Sequence, residues 1–381
     1  MAFFMPKFAF SLVISKEGLN FGVQIKKSIL HMIDVKLLAT ITETPGAPGF
    51  ENQIRNFIKK QVSPFVDNVS MDAMGNLIAF KKGKDSSKRT MVAAHLDEIG
   101  FIVTGIDKNG FVRFHTLGGF DPKTLTAQRV IVHGKKDLVG VMGSKPIHVM
   151  TLEERAKNLK TTDFFIDMGM KKDEVEKYIE IGNPITRQRE LIEMGDCVNA
   201  KSLDNRVSVF ILLETLKELK DQEVPYDLYG VFTVQEEIGI RGATVAGHHI
   251  EPHFSFGLDT TIAFDVPGSQ PHEQITRMGE GTAIKIMDGS TVCDTRMVRY
   301  MKATAIKHKI KWQPEILTAG GTDTAGMQRM SKFGTIAGAV SIPTRHIHQV
   351  IEMCHKEDIR LSIDLLKVCV SELDTFNWEH L

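Results

Sequence analysis

At 381 residues, 42% hydrophobic and 25% charged, the chain is long enough for two domains and at least one substantial core. Lys plus Arg and Asp plus Glu both number 47, so the formal net charge is zero and no global field gathers nucleic acid or an anionic membrane surface. Neither nucleic-acid nor membrane binding is expected.

The chain opens on an apolar stretch, MAFFMPKFAFSLVI, that raises the question of a signal peptide. Pro6 and Lys7 interrupt it, no basic lead-in precedes it, and no small-residue cleavage site comes before Lys16 and Glu17. Residues 1–31 are read as an N-terminal extension upstream of a candidate start at Met32. No later run approaches the roughly 18 apolar residues of a membrane span. The four cysteines, Cys197, Cys293, Cys354 and Cys369, form no C-x-x-C pair, which argues against a zinc knuckle or a redox motif and suits reduced core thiols in a cytoplasmic protein.

From Met32 to Lys60, the spacing of Ile33, Leu37 and Leu38 and then of Ile54, Phe57 and Ile58 predicts two amphipathic helices broken by TPGAPGFEN. The runs LIAF, MVAAH, YDLYGVFTV, FSFGLD and GTIAGAV are short and continuous rather than alternating, as in strands buried on both faces. Helical patterns such as NRVSVFILLETLKELK lie between them, which gives an α/β layered domain. From Glu98 to about Val149 the pattern changes to short β segments with hairpin turns, IDKNGFVRF and IVHGKKDLVGV, read as an inserted barrel-like module with a mixed tail to about Gly195. The expected division is 32–98 with 196–381 for the main domain and 99–195 for the insertion.

In open α/β sheets the ligand site lies beyond the carboxyl ends of the strands. Polar residues there include His95 and Asp97 after MVAAH, Glu236 and Glu237 after VFTVQ, Asp259 in FGLDT, and His346 and His348 in PTRHIHQ. Asp204 stands at a helix start, where the dipole favours an anion. Singly, each has a plain reading: a first-turn helix carboxylate, a core histidine bonded to backbone, a loop opener. Glu236 and Glu237 are harder to dismiss, because adjacent carboxylates ending a buried strand repel unless a cation is near. Imidazoles with carboxylates suit zinc, cobalt or manganese. A metal pair about 3.5–4 Å apart needs a bridging carboxylate and terminal ligands. His95, Asp204, Glu237, Asp259 and His348 supply such a set and leave Glu236 free to move protons.

At these residues the chain resembles the tetrahedral aminopeptidase family, the glutamyl or deblocking aminopeptidases, which are cytosolic dinuclear metallopeptidases. The matching blocks run from about Met32 to Leu373 and include MIDVKLLATITETPGAPGFE, AAHLDEIGFIV, KSLDNRVSVFILLETL, TVQEEIGIRGA, GLDTTIAFDVPG, AGGTDTAGMQ and IPTRHIHQVIEMCHKED. The resemblance implies a three-layer mixed-sheet, phosphorylase/hydrolase-like catalytic domain with an inserted β-barrel or PDZ-like domain used in dimerisation. It implies two divalent ions, zinc or cobalt, held by His95, Glu237, Asp259 and His348 with Asp204 as the bridge. It further implies Asp97 as the partner that orients His95, Glu236 as general base, short peptides as substrates and a dodecamer built from dimers. Where the family has a tyrosine two residues before its last histidine, this chain has His346; strand alternation lets either ring point inward, and His348 matches the family position. Thr322 and Asp323, in the Gly320-Gly321-Thr322-Asp323 turn, are candidate pocket residues. The rival readings are a metal-dependent deacylase on the same scaffold and a non-catalytic scaffold. No G-x-S-x-G, P-loop or G-x-G-x-x-G is present to support a serine hydrolase or a nucleotide enzyme.

Overall fold

The run Met91-Val92-Ala93-Ala94 is buried on both faces, and the side-chain period of two divides it between two cores. Val92 and Ala94 join one apolar cluster with Leu212 and Leu216, while Met91 and Ala93 join another with Ala246, Ile250 and Met327. In the computed structural model, which describes residues 33–380, this run ends the strand Asp85–His95 near the middle of a large mixed sheet. The proposed extension, 1–31, lies outside the described residues.

Four neighbouring strands are parallel: Tyr226–Thr233, Asp85–His95, Phe254–Ile262 and Ile336–Arg345. All four come from runs legible in the sequence. Antiparallel strands extend both sides, with Leu77–Lys81 and then Asn68–Met71 beyond Tyr226–Thr233, and Glu352–His355, Cys197–Ala200 and Ile192–Met194 beyond Ile336–Arg345. Thr282–Met287 branches off Ile336–Arg345 and pairs in turn with Trp312–Ile316.

Helices cover both faces, giving a three-layer α/β fold. The helix Leu203–Glu218 is buried over most of its length, as expected where apolar residues occur all round rather than on one stripe. Its cluster also contains residues of Val35–Glu43, Asn52–Val62, Thr295–Lys307 and Lys356–Ser371. The opposite layer is made by Arg241–Ile250 and Asp323–Met330. Asp34 caps the first helix, its carboxylate accepting from Leu37 N at 3.0 Å.

Between His95 and Cys197 the chain forms a closed barrel of Gly100–Ile106, Val112–Leu117, Phe165–Asp167, Asp137–Gly143, Arg129–His133 and Pro184–Arg187. It has its own core around Phe101, Val112, Val130, Ile166 and Ile185. The hairpin at Asn109-Gly110 is real: Asp107 Oδ1 accepts from Asn109 N and Phe111 N, and Gly110 takes the φ of 98° that the turn requires. The tail to Gly195 holds both helices and strands, and it supplies two barrel strands, Phe165–Asp167 and Pro184–Arg187, without which the barrel would not close. Cys293, Cys354 and Cys369 are free and buried. No helix among the described residues is long and apolar enough to cross a membrane.

Candidate active site

Parallel pairing sets Thr233 opposite His95 and Gly257 opposite Ala93, so the chain leaves three adjacent strands at one edge of the sheet. His95 ends its strand there, Glu236 and Glu237 follow the second, and Asp259 lies near the end of the third. Asp204 arrives from the opening of Leu203–Glu218. It is not in regular helix, since Asp204 and Asn205 both have non-helical dihedrals, so the expected helix-dipole position is displaced from the first true turn. His348 comes from the loop after Ile336–Arg345.

Asp204 sits between the two imidazoles. Its Oδ1 is 3.5 Å from His95 Nε2 and its Oδ2 is 3.4 Å from His348 Nε2. Glu237 Oε2 lies 3.3 Å from His348 Nε2, and Asp259 Oδ1 and Glu236 Oε2 each lie 3.9 Å from His95 Nε2. Ligand atoms of His95, Asp204 and Glu237 all fall within 4.8 Å of one another. His348 is the more open ring, 36% exposed against 2% for His95. His346 is exposed, so of the two histidines left open by the sequence it is His348 that reaches the group.

The backbone ties are as informative as the side-chain distances. His95 Nδ1 lies 3.1 Å from the carbonyl oxygen of Asp97 and 3.5 Å from its Oδ1. The Asp97 carboxylate has another task that the sequence did not suggest: Oδ1 accepts from Glu236 N and Oδ2 from Glu237 N, each at 3.0 Å. Two further buried carboxylates act alike. Glu51 Oε1 accepts from Gln235 N at 3.1 Å, and Glu352 accepts from Asp204 N at 2.9 Å and His348 N at 2.8 Å. Gln235 and His348 have φ of 56° and 65°, left-handed values that cost a residue with a Cβ about 1–2 kcal/mol. Glu51 and Glu352 thus hold the two strained points beside the site. Arg187 Nη1 adds a 3.0 Å bond to the His348 carbonyl. Glu51 and Glu352 stand in the blocks MIDVKLLATITETPGAPGFE and IPTRHIHQVIEMCHKED, whereas Arg187 lies outside all of those blocks.

Burial pushes the Glu236 carboxyl well above the usual range, with Asp259, Asp323 and Glu237 adding to the rise and His95 opposing it. Burial likewise raises Asp259 and Glu237. Burial disfavours a charged His348, but Asp204 and Glu237 outweigh it and raise the ring to about 11. Asp204 stays well below the usual carboxylate range: burial raises it, and the two imidazoles more than offset that. Acidic groups crowded in a buried space need positive charge to ionise together. Glu237 Oε1 is buried with no hydrogen-bond partner, a free lone-pair donor inside a carboxylate–imidazole group. Such a donor set fits divalent cations.

These side chains line a cavity of ≈ 550 Å³ together with Ile240, Ile262, Lys285, Asp288, Leu317 and Thr322. Of the two candidate pocket residues, Thr322 faces this cavity, while Asp323 is buried behind it and accepts a short hydrogen bond from Thr233 Oγ1. A larger cavity of ≈ 880 Å³, near Arg129 and Thr186, holds none of the imidazole–carboxylate group.

The family profile described as M42 glutamyl aminopeptidase matches residues 75–365. The lysyl aminopeptidase of Pyrococcus furiosus is 30% identical, the alignment covering 90% of this chain and 98% of the relative. Among solved structures, the TET aminopeptidase of the marine sediment archaeon Thaumarchaeota archaeon SCGC AB-539-E09 superposes with a TM-score of 0.86 at 34% identity, over 89% of this chain and 96% of the other. The TET1 peptidase of Pyrococcus horikoshii, described as assembling into a tetrahedron or a large octahedral shell, gives 0.80 at 31% identity, over 89% and 99%. With sequence and fold in agreement over that length, the chain belongs to the M42 glutamyl aminopeptidase family, the tetrahedral aminopeptidases, and is a peptidase.

Proposed function

We propose that the protein is a dinuclear-metal aminopeptidase that removes N-terminal residues from short peptides. The observation that carries this reading is Asp204, whose two carboxylate oxygens face two different imidazoles at 3.5 and 3.4 Å, the disposition of a bridging ligand. His95, Glu237, Asp259 and His348 would hold the ions on either side of it, and zinc or cobalt suits this donor set. When bound, divalent ions supply Lewis acidity to the scissile carbonyl and acidify water.

The remaining chemistry belongs to the chain. Glu236 is the acidic residue of the strand-end pair not needed as a ligand, and its carboxylate accepts a proton from the attacking water and returns it to the leaving amine. An ion placed beside it favours the ionised form that accepts the first proton. Asp97 fixes the backbone of Glu236 and Glu237 together, so that binding and proton transfer stay in register. Glu352 does the same for Asp204 and His348.

The division into a catalytic part, 32–98 with 196–381, and an insertion, 99–195, is supported by the barrel having its own core. The barrel segment also exposes Val139, Val141, Ile147, Val149 and Leu152, an apolar surface in keeping with a dimer contact. A homo-oligomer follows the relative that assembles into a tetrahedron or a large octahedral shell, and a cytoplasmic dodecamer built from dimers is the form that the resemblance of the sequence implies. The test is hydrolysis of leucyl para-nitroanilide and of N-acetyl-leucine before and after chelation, with zinc or cobalt added back. Cleavage of the first substrate alone, lost on chelation and restored by metal, is expected. Activity that survives chelation, or a preference for the acylated amino acid, overturns the reading.

A further inference from the structure

The cavity that carries the imidazole–carboxylate group has further lining residues beside that group. Apart from that group, among the described residues only Lys285 and Asp288 bring charge to it, and both side chains are 0% exposed. The rest of the lining is uncharged, with Thr260, Thr261, Ser290 and Thr322 bearing hydroxyls and Ile240, Ile262, Leu317 and Ile347 as its apolar surface.

The two charged residues are already spent on one another and on their neighbours. A carboxylate offers about four acceptor positions. In Asp288, Oδ1 accepts from Ser290 N and Thr291 N at 2.8 Å each, and Oδ2 accepts from Lys285 Nζ at 2.9 Å and Thr322 Oγ1 at 3.1 Å. Lys285 Nζ also lies 3.4 Å from Glu315 Oε1, which takes a 2.8 Å bond from Thr261 Oγ1. Glu315 Oε2 has no partner, but that side chain too is 0% exposed and cannot meet a substrate. One ammonium therefore faces two carboxylates inside the wall, and none of the three turns a free charge to the cavity.

We propose that this site selects peptides whose first residue is uncharged and aliphatic, and that the closed Asp288–Lys285–Glu315 cluster is what excludes charged ones. The inference rests on the aminopeptidase reading of the same cavity. A glutamate or aspartate side chain would find the Lys285 ammonium already paired with Asp288 and Glu315. A lysine or arginine side chain would find the Asp288 oxygens fully occupied. Either would lose its water and gain no partner, which is unfavourable, whereas a leucine or methionine side chain covers Ile240, Ile262 and Leu317 at no such cost.

The test is kcat/KM of the metal-loaded protein on leucyl, glutamyl and lysyl para-nitroanilides, with calorimetric binding of leucine, glutamate and lysine to the same protein. The leucyl substrate is expected to exceed both charged ones by at least about tenfold, with leucine the tightest of the three amino acids. In Asp288→Asn, which leaves Lys285 with one counter-charge in place of two, the glutamyl to leucyl ratio should rise. A glutamyl or lysyl rate equal to the leucyl rate, or tighter binding of glutamate or lysine, overturns the proposal. Should no substrate be turned over, the aminopeptidase reading falls, and the order of binding still decides what the wall selects.

Discussion

Asp97 and Glu236 are joined through the backbone rather than through facing side chains: Asp97 Oδ1 accepts the amide of Glu236, while Oδ2 accepts the amide of Glu237. One buried carboxylate therefore sets the position of both members of the acidic pair that ends the strand Tyr226–Thr233. Asp97→Asn replaces one acceptor oxygen by a donor facing an amide N–H. The loss of a charge-assisted bond is expected to cost about 1.5–3 kcal/mol of stability. Metal affinity should fall about 10–100-fold, as for other residues that orient a ligand from behind. Denaturant unfolding and metal titration of the purified variant measure both effects. Unchanged values in both would remove Asp97 from this role.

Glu236→Gln leaves His95, Asp204, Glu237, Asp259 and His348 untouched and removes only the capacity to accept a proton. Turnover should drop by about 10²–10⁴ while bound metal stays at the level of the natural chain. Steady-state kinetics with elemental analysis on the same sample reports both quantities. A metal-loaded variant with normal turnover would assign proton transfer elsewhere.

The acidic pair was readable because carboxylates that end an apolar run have no packing reason to be there. His95 and Asp259 were readable by the same rule, and the continuous apolar runs gave the strands that carry them. Glu51 and Glu352 escaped because they act on backbone amides far along the chain, Glu51 on Gln235 and Glu352 on Asp204 and His348. No side-chain pattern records an amide as a partner. The last two barrel strands escaped for another reason: Phe165–Asp167 and Pro184–Arg187 have only 3 and 4 residues, too few for alternation to be visible.

Arg206 lies fully buried in the middle of the sequence block SLDNRVSVF, where the apolar pattern predicts only helix packing. Its Nε donates to the Leu96 carbonyl at 2.6 Å, and its Nη1 donates to those of Ile41 at 2.6 Å and Thr44 at 2.7 Å. It thereby ties the first helix and the loop after His95 to Leu203–Glu218. Arg206→Met keeps the bulk but strands three carbonyls and takes one of two cations from Glu98, whose carboxylate lies 3.7 Å from Arg206 Nη2 and keeps Lys201 Nζ at 2.7 Å. A loss of about 3–5 kcal/mol is expected, read as a lower denaturant midpoint at unchanged slope. A midpoint equal to that of the natural chain would contradict it.

Acid sensitivity is expected from a cluster well away from the site. Glu218 receives Arg360 Nη1 at 2.7 Å on Oε1 and Lys367 Nζ at 2.7 Å on Oε2. Burial raises its carboxyl, but the two cations outweigh burial and hold it below its ordinary 4.5. A folded pKa below the unfolded one gives stability that is present in full above the unfolded value and lost as pH falls through the folded value. Stability should therefore decline below about pH 4.5 with a steeper acid limb in the natural chain than in Glu218→Gln. Parallel limbs in the two proteins, followed by thermal unfolding across that range, would show that the cluster contributes nothing.

The central claim is that Asp204 lies between two divalent ions, and the number of ions per chain tests it most directly. Elemental analysis after loading with zinc or cobalt and removal of excess should give two per chain in the natural protein, and fewer in Asp204→Asn, whose amide leaves only one oxygen donor. A single ion per chain, or full occupancy in the Asp204 variant, contradicts the account.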